Sequence, residues 1–356
     1  QHIITESPNA VEAPCDHFGM CGGCKIQNLS YNEQLKEKSN QVEDAFRRLG
    51  GFQDFKLDHV VGADPIFNYR NKMEFTFSPH RWVLDTEPEG VDRSFAVGLH
   101  IPGRYDKILD IKDCHIQPVI GNKILKVARD VCLAHPDLKP YDPKTHIGFL
   151  RYLMLRFGVN TNQIMVNLVT AYDDINKLSP LIDALLEQVP EITSMVNNVN
   201  TRKADVAFGE FETLVFGEPF IQETIGDLTF EISANSFFQT NTIQGKQLYD
   251  EVVKAAGLTG SEIVFDLYCG TGTIGLYLAN QVKEVYGFEI IRSALEDAEK
   301  NAQRLLPKKD MIKFLQRNWL ADFEDDYFDI IVSNPPYIAA GDKHLNDLQN
   351  EPYSAL

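Results

Sequence analysis

The order of apolar and polar positions along the chain predicts two differently built regions. Ser30-Tyr31-Asn32-Glu33 has the form of a capping box, and the residues after it place Leu35, Val42, Phe46 and Leu49 on one face of a helix that Gly50-Gly51 would stop. Residues 55–113 then read as short strands, including Lys72–Ser78 and Phe95–His100, broken by turn residues such as Glu87-Pro88-Glu89-Gly90. A helix near Val119–Ala134 follows, then two strands around Leu150–Phe157 and Gln163–Thr170, a helix near Ser179–Gln188, and strands and turns from Ala207 to Ser233. A helix around Thr242–Ala256 opens the second region, where the pattern changes to a doubly wound α/β alternation. Its first strand, Val264–Leu267, runs into a glycine-rich turn and a helix, and a second strand, Val285–Glu289, ends on an acid.

Gly270, Gly272 and Gly275 spell G-x-G-x-x-G, so a dinucleotide site is the first reading to weigh. Two neighbours favour another ligand. Asp266 lies just before the turn, where a carboxylate would repel a pyrophosphate but suits a cationic amino-acid group. A later strand ends in Ser333-Asn334-Pro335-Pro336-Tyr337. Together these stretches resemble the class I S-adenosylmethionine-dependent methyltransferases, and the resemblance places Glu289 at the ribose hydroxyls of the cofactor.

At 356 residues the chain is long enough for two domains, and 44% hydrophobic with 24% charged residues is ordinary for a soluble globular protein. No apolar run approaches the roughly 18–20 residues that span a bilayer, so no membrane partner and a cytoplasmic location are expected. The net charge of −17 sits awkwardly with a nucleic-acid partner, but global charge governs solubility more than a local groove. Arg47, Arg48, Arg70, Lys72, Arg81, Arg104, Lys107, Arg151 and Arg156 all lie in the first half, while acids gather at Asp322, Glu324, Asp325, Asp326 and Asp329.

Three of six cysteines crowd together as Cys15, Cys21 and Cys24 on a glycine-rich loop. Thiolates this close suit a metal, and zinc and cubane iron–sulfur sites both take four ligands. Cys114, in Asp113-Cys114-His115, is the best fourth candidate, since Cys132 lies on a helix with apolar neighbours and Cys269 lies in the glycine turn. Zinc, a cluster and a set of free buried thiols all remain open on spacing alone.

From about residue 8 to about residue 302 the chain resembles the RNA uracil-5-methyltransferases, and within them the iron–sulfur branch that makes 5-methyluridine in 23S rRNA. The stretches that carry the resemblance are His17–Cys24, Tyr69–Phe75, Asp113–His115, Gly148–Arg151, Asn200–Lys203, Ser236–Asn241 and Asp266–Gly270. It implies a 4Fe–4S cluster on Cys15, Cys21, Cys24 and Cys114, S-adenosylmethionine contacts from Gln239, Tyr268, Thr273, Glu289 and Asn318, and RNA, most naturally rRNA, as partner. Asp266, Gly270, Gly272 and Asn334 complete the expected cofactor set. An RNA-binding β-barrel domain usually precedes the cluster in that branch. The expected organisation is a linker over 1–14, an iron–sulfur and RNA-binding α+β domain over 15–235, and a Rossmann-like methyltransferase domain over 236–356.

The last stretch departs from that pattern. Where the family has an Asp-Pro-Pro-Arg-like loop, this chain has Asn334-Pro335-Pro336-Tyr337, and from about Asn301 it resembles the release-factor glutamine methyltransferases. In that chemistry Asn334 and the Pro335 carbonyl accept the two hydrogens of a planar amino group and Tyr337 packs on it. Uracil methylation instead needs a cysteine that adds to carbon 6, and no cysteine follows Cys269 in these residues. The sheet is expected to be incomplete after its fourth strand. Three readings result: an RNA uracil-5-methyltransferase, a glutamine N5-methyltransferase of release factors, and an iron–sulfur RNA-binding module without catalysis.

Overall fold

The computed structural model describes residues 5–203, 207, 209–306, 311–316 and 327–335. The first region is an eight-stranded mixed sheet. Its strands are β1 (Lys72–Ser78), β2 (Arg81–Trp82), β3 (Ala96–Ile101), β4 (Arg104–Asp110), β5 (Leu150–Gly158), β6 (Gln163–Thr170), β7 (Ser194–Val199) and β8 (Phe211–Gly217), in the order β2-β4-β3-β1-β5-β6-β7-β8. Helices α2 (Val119–Ala134) and α3 (Ile175–Gln188) cover one face of it. Met73, Phe75 and Phe77 alternate along β1 into this core, where they meet Ile124, Leu125, Leu178 and Leu181.

Two helices differ from the sequence pattern. Helix α1 (Tyr31–Asp44) starts after Ser30 as expected, but the Ser30 side chain makes no capping bond. Glu33 instead accepts from the Asn9 amide at 3.0 Å and Lys36 at 3.1 Å. Its apolar stripe is not buried either: none of its residues is buried, and Leu49, at the end of the π-helical turn Ala45–Leu49, is 89% exposed. Helix α3 begins four residues before the expected start, at Ile175, because Asp174 caps it by accepting from Lys177 N–H. Pro180 lies inside the helix, and the Asn176 carbonyl that its missing N–H would have served accepts the Ser179 hydroxyl at 2.9 Å.

The second region contains helix α4 (Thr242–Ala256) and a four-stranded parallel sheet of β11 (Ile263–Leu267), β12 (Glu284–Glu289), β13 (Ile312–Gln316) and β14 (Ile330–Ser333), ordered β13-β12-β11-β14. Helices α5 (Thr273–Leu278) and α6 (Arg292–Leu305) make the crossovers. The antiparallel hairpin β9 (Phe220–Ile225) and β10 (Leu228–Ser233) precedes α4 and shares its apolar core with this sheet, Ile221, Phe230 and Ile232 packing with Val264, Leu276 and Val285. Among the described residues no helix is long and apolar enough to cross a membrane.

Buried polar groups join the two regions. Arg156 on β5 donates to the carbonyls of Ala234 and Ser236. Burial lowers its pKa to about 10, so it remains a cation at neutral pH beside Glu74 and Asp297. Glu223 on β9 is fully buried and accepts from Val159 N–H (2.7 Å), Asn160 N–H (3.0 Å), Thr224 N–H (2.9 Å) and the Thr242 hydroxyl (2.7 Å). Asn301 on α6 brackets β10, accepting from Glu231 N–H at 2.8 Å and donating to Glu231 O at 3.0 Å. Asn301→Ala leaves both backbone groups short of a partner, which costs roughly 2 kcal/mol, and urea unfolding should show that loss with an unchanged m value.

Candidate methyl-donor cradle and cysteine cavity

The parallel sheet reverses its strand order between β11 and β14, and in open α/β sheets ligands bind outside the carboxyl ends of the strands at such a switch point. Here the β11 end continues into Tyr268–Gly272. Tyr268, Gly270 and Gly272 all have left-handed backbone, with φ of 57°, 55° and 75°. For Tyr268, which carries a Cβ, that conformation is strained, and it leaves the ring 45% exposed. A Cβ on Gly270 would meet nothing within 4 Å, whereas one on Gly272 would lie 2.8 Å from the Phe314 ring. The turn therefore offers open space on one side and is pressed against β13 on the other.

Asp266 and Glu289 brace this turn. Asp266 is 1% exposed, and its Oδ2 accepts from Gly275 N–H at 2.9 Å in the first turn of α5. Its Oδ1 is buried without a partner. Burial pushes its pKa up to about 7, with repulsion from Glu289 adding to this and the Gly275 N–H opposing it. Glu289 Oε2 accepts from Gly270 N–H at 3.1 Å, and Oε1 accepts from Ile290 N–H at 2.7 Å and Ile291 N–H at 3.0 Å. Cys269 lies between them, buried, and burial together with the two carboxylates holds it as a neutral thiol.

Distant segments converge on the same edge. Thr271 Oγ1 donates to Phe237 O at 3.2 Å, which brings the Phe237–Gln239 loop to the turn, and Tyr249 and Thr273 share a hydroxyl contact of 2.9 Å. Phe237 is 59% exposed there. It sits within the motif Ser236–Asn241, and its exposure is not legible in the sequence, where an apolar residue in a strand-rich stretch reads as core. Leu267 pairs with Ser333, so Asn334 follows level with Tyr268, half-buried, with Pro335 exposed beyond it. Gln239, Asp266, Tyr268, Gly270, Gly272, Thr273, Glu289 and Asn334 thus occupy one end of the sheet and the loops beside it. Asn318, Pro336 and Tyr337 lie outside the described residues.

The thiols form a second centre. Cys15, Cys21, Cys24 and Cys114 line one cavity of about 370 Å³, open mouth included, with His17, Phe18, His115 and Ile116. Gly22 docks this loop on β3: its N–H donates to His100 O at 3.1 Å, and a Cβ there would lie 2.8 Å from that oxygen. Backbone N–H groups face the sulfurs, those of His17 and Phe18 at Cys15, Gly23 at Cys21 (3.4 Å), and Ile116 and Gln117 at Cys114. Burial pushes Cys21 up to about 11 despite the Gly23 N–H, and repulsion from Cys114, Cys24 and Cys15 adds to it. Among the described residues no group of three or more His, Cys, Asp or Glu side chains is close enough to hold a metal ion. A single zinc would need thiolates roughly 3.8 Å apart, each about 2.3 Å from the ion, so the expected set lines one cavity but is not closed to that spacing.

A Rossmann-like parallel sheet with a glycine turn and an acid ending its second strand defines a class I methyltransferase fold, here behind a mixed α/β region. Residues 227–350 match the family described as methyltransferase small domain. An uncharacterised RNA methyltransferase of Porphyromonas gingivalis is 38% identical over 350 residues, which cover 94% of this chain and 74% of that one. One from Chlorobaculum tepidum is 42% identical over 306 residues, or 85% of this chain, and this chain spans 63% of its length. The crystal structure of Pyrococcus abyssi tRNA (uracil-54, C5)-methyltransferase in complex with S-adenosyl-L-homocysteine superposes with a TM-score of 0.71 at 27% identity, covering 94% of this chain and 72% of that one. The chain belongs to the RNA methyltransferases.

If Glu289 holds the ribose hydroxyls of a bound nucleoside, its charge-assisted hydrogen bonds contribute roughly 1.5–3 kcal/mol, and Glu289→Ala should weaken S-adenosylhomocysteine binding by about one to two orders of magnitude. Titration calorimetry reads this directly. Unchanged affinity, or tight binding of NAD in its place, would remove Glu289 from the assignment.

Proposed function

We propose that this chain carries the framework of a cytoplasmic S-adenosylmethionine-dependent RNA methyltransferase that forms 5-methyluridine in 23S rRNA, with a 4Fe–4S cluster on Cys15, Cys21, Cys24 and Cys114. The observation that carries this reading is the likeness, over 94% of the chain, to a tRNA uracil C5-methyltransferase captured with S-adenosyl-L-homocysteine. The choice of rRNA rests on the resemblance of the cysteine-bearing motifs to the iron–sulfur branch.

The residues present fit a nucleoside methyl donor. Gly270 leaves open space, Glu289 ends β12 where ribose hydroxyls would meet it, and Asp266 keeps an unpartnered buried oxygen near the turn for an ammonium group. Tyr268, Thr273 and the Gln239 loop wall the same space, and Asn318 joins them by resemblance. The bound donor supplies an electrophilic methyl on a sulfonium; the chain binds it, orients it and keeps water from it. Cys269 has no covalent role in this scheme, because a buried neutral thiol between two carboxylates is a poor nucleophile.

The cysteine cavity fits a cluster better than a single ion. In a cubane each thiolate binds its own iron, so the sulfurs stand wider apart than around one zinc. Backbone N–H groups aimed at sulfur stabilise thiolates and tune such a cluster. Anaerobically purified protein should be brown, with about four irons per chain, and Cys21→Ser should bleach it. Colourless protein with stoichiometric zinc would sink the cluster.

One observation favours a second reading, the glutamine N5-methyltransferase of release factors. Asn334 sits half-buried at the end of β14 level with Tyr268, where its side-chain oxygen and the Pro335 carbonyl can accept both hydrogens of an amide. Incubation with isotopically labelled methyl donor, followed by mass analysis of 23S rRNA, tRNA and release factor, separates the readings. Label in 5-methyluridine of 23S rRNA is expected; label on a glutamine amide would transfer the assignment to the Asn334 loop. Donor binding without any methylated product would leave an iron–sulfur RNA-binding module.

A further inference from the structure

Asn68–Asn71 forms a strip of chain that is bonded to both centres. On the cysteine side, Asn68 N–H donates to His115 O at 2.9 Å and Arg70 N–H to Ile116 O at 2.8 Å, and both acceptors follow Cys114 in the cavity wall. On the other side, Asn71 N–H donates to Thr240 O at 2.8 Å. The Asn71 side-chain amide donates one hydrogen to Gln239 O and the other to Thr242 Oγ1, each at 2.8 Å. Thr242 in turn donates to Glu223, and Asn71 O accepts from Phe157 N–H at 2.8 Å. Asn71 is only 5% exposed, so these bonds act away from solvent, where a lost partner is costly.

The loop that Asn71 holds reaches the donor cradle by two routes. Thr271 Oγ1 fastens Phe237 O to the glycine turn, and Thr242 opens α4, whose Tyr249 meets the Thr273 hydroxyl. We infer that Asn71 is the positioning residue of the Gln239–Thr242 loop, and that through it the affinity for the methyl donor depends on occupancy of the cysteine cavity. The inference rests on the cluster reading above. With four thiolates tied to one group, Cys114–Ile116 is fixed and the acceptors for Asn68 and Arg70 are fixed with it. Without that tie nothing fixes the four sulfurs to one another, the Asn68–Asn71 strip loses its anchor at His115 and Ile116, and the donor must order the loop as it binds. Linkage makes the effect reciprocal: bound S-adenosylhomocysteine retains the cluster by the same factor.

The test is calorimetric S-adenosylhomocysteine affinity in cluster-loaded and chelator-stripped protein, for the wild type, Asn71→Asp and Thr242→Val. Asn71→Asp turns both donors into acceptors, and Thr242→Val, which keeps the shape of its side chain and adds no charge, is the variant that a space-filling role would leave silent. Stripping should weaken wild-type affinity about tenfold, the size expected for one or two hydrogen bonds lost away from solvent. Either variant should weaken the loaded protein by a similar factor and then respond less than about twofold to stripping. Hydrogen exchange should accelerate at the amides of 237–244 on stripping, which separates local loosening from global unfolding. Wild-type affinity indifferent to stripping, or variants that keep the full response, would overturn the coupling and leave the cluster standing. Purified protein without iron would overturn the cluster, and the coupling with it.

Discussion

The polar joint around Glu223 is the interaction that ties the two regions of the fold together. A carboxyl group with no exposed surface needs the protein to supply its hydrogen bonds, and four donors drawn from β5–β6, β9 and the start of α4 do this. Directional bonds to one buried side chain fix orientation far more sharply than an apolar seam of equal area. Arg156 reaches across the same boundary to Ala234 and Ser236, and Asn71 to Gln239 and Thr242. The eight-stranded sheet thereby becomes the foundation of the donor cradle rather than an appended module.

The cradle itself is made by backbone conformation more than by side chains. Three left-handed residues at alternate positions, Tyr268, Gly270 and Gly272, turn the chain away from β11, while Asp266 secures the first turn of α5 from beneath. Glu289 completes the arrangement from the next strand. Asp266 and Glu289 lie close to the buried Cys269 thiol beneath the turn, and burial together with their mutual repulsion raises the proton affinity of Asp266 and Cys269.

The cysteine cavity obeys the opposite rule. Its walls are apolar, its sulfurs raise one another's proton affinity, and the stabilising groups are backbone N–H donors supplied by tight turns at His17–Phe18, Gly23 and Ile116–Gln117. Four free thiols gain little from such donors, whereas thiolates bound to a cation gain a great deal.

The periodicity of apolar residues was enough to find β1, β5, β6, α2, α4 and the β11–α5–β12 unit, because each buries a continuous face whose repeat is written locally. Glycine and acid positions likewise marked the cradle, since left-handed turns restrict residue type. Helix α1 leaves its apolar stripe exposed and α3 begins ahead of the segment that the pattern marks, because an apolar stripe states what could be buried but not what lies opposite it or which residue caps the helix. Asn71, Glu223 and Arg156 were invisible as a joint, because an asparagine, a glutamate and an arginine far apart in the chain carry no signal until folding removes water from all three. Local pattern was sufficient for which segments form helices and strands and for the chemistry they can host; which polar groups share one buried joint emerges on folding, because burial is a property of the surroundings and not of the residue.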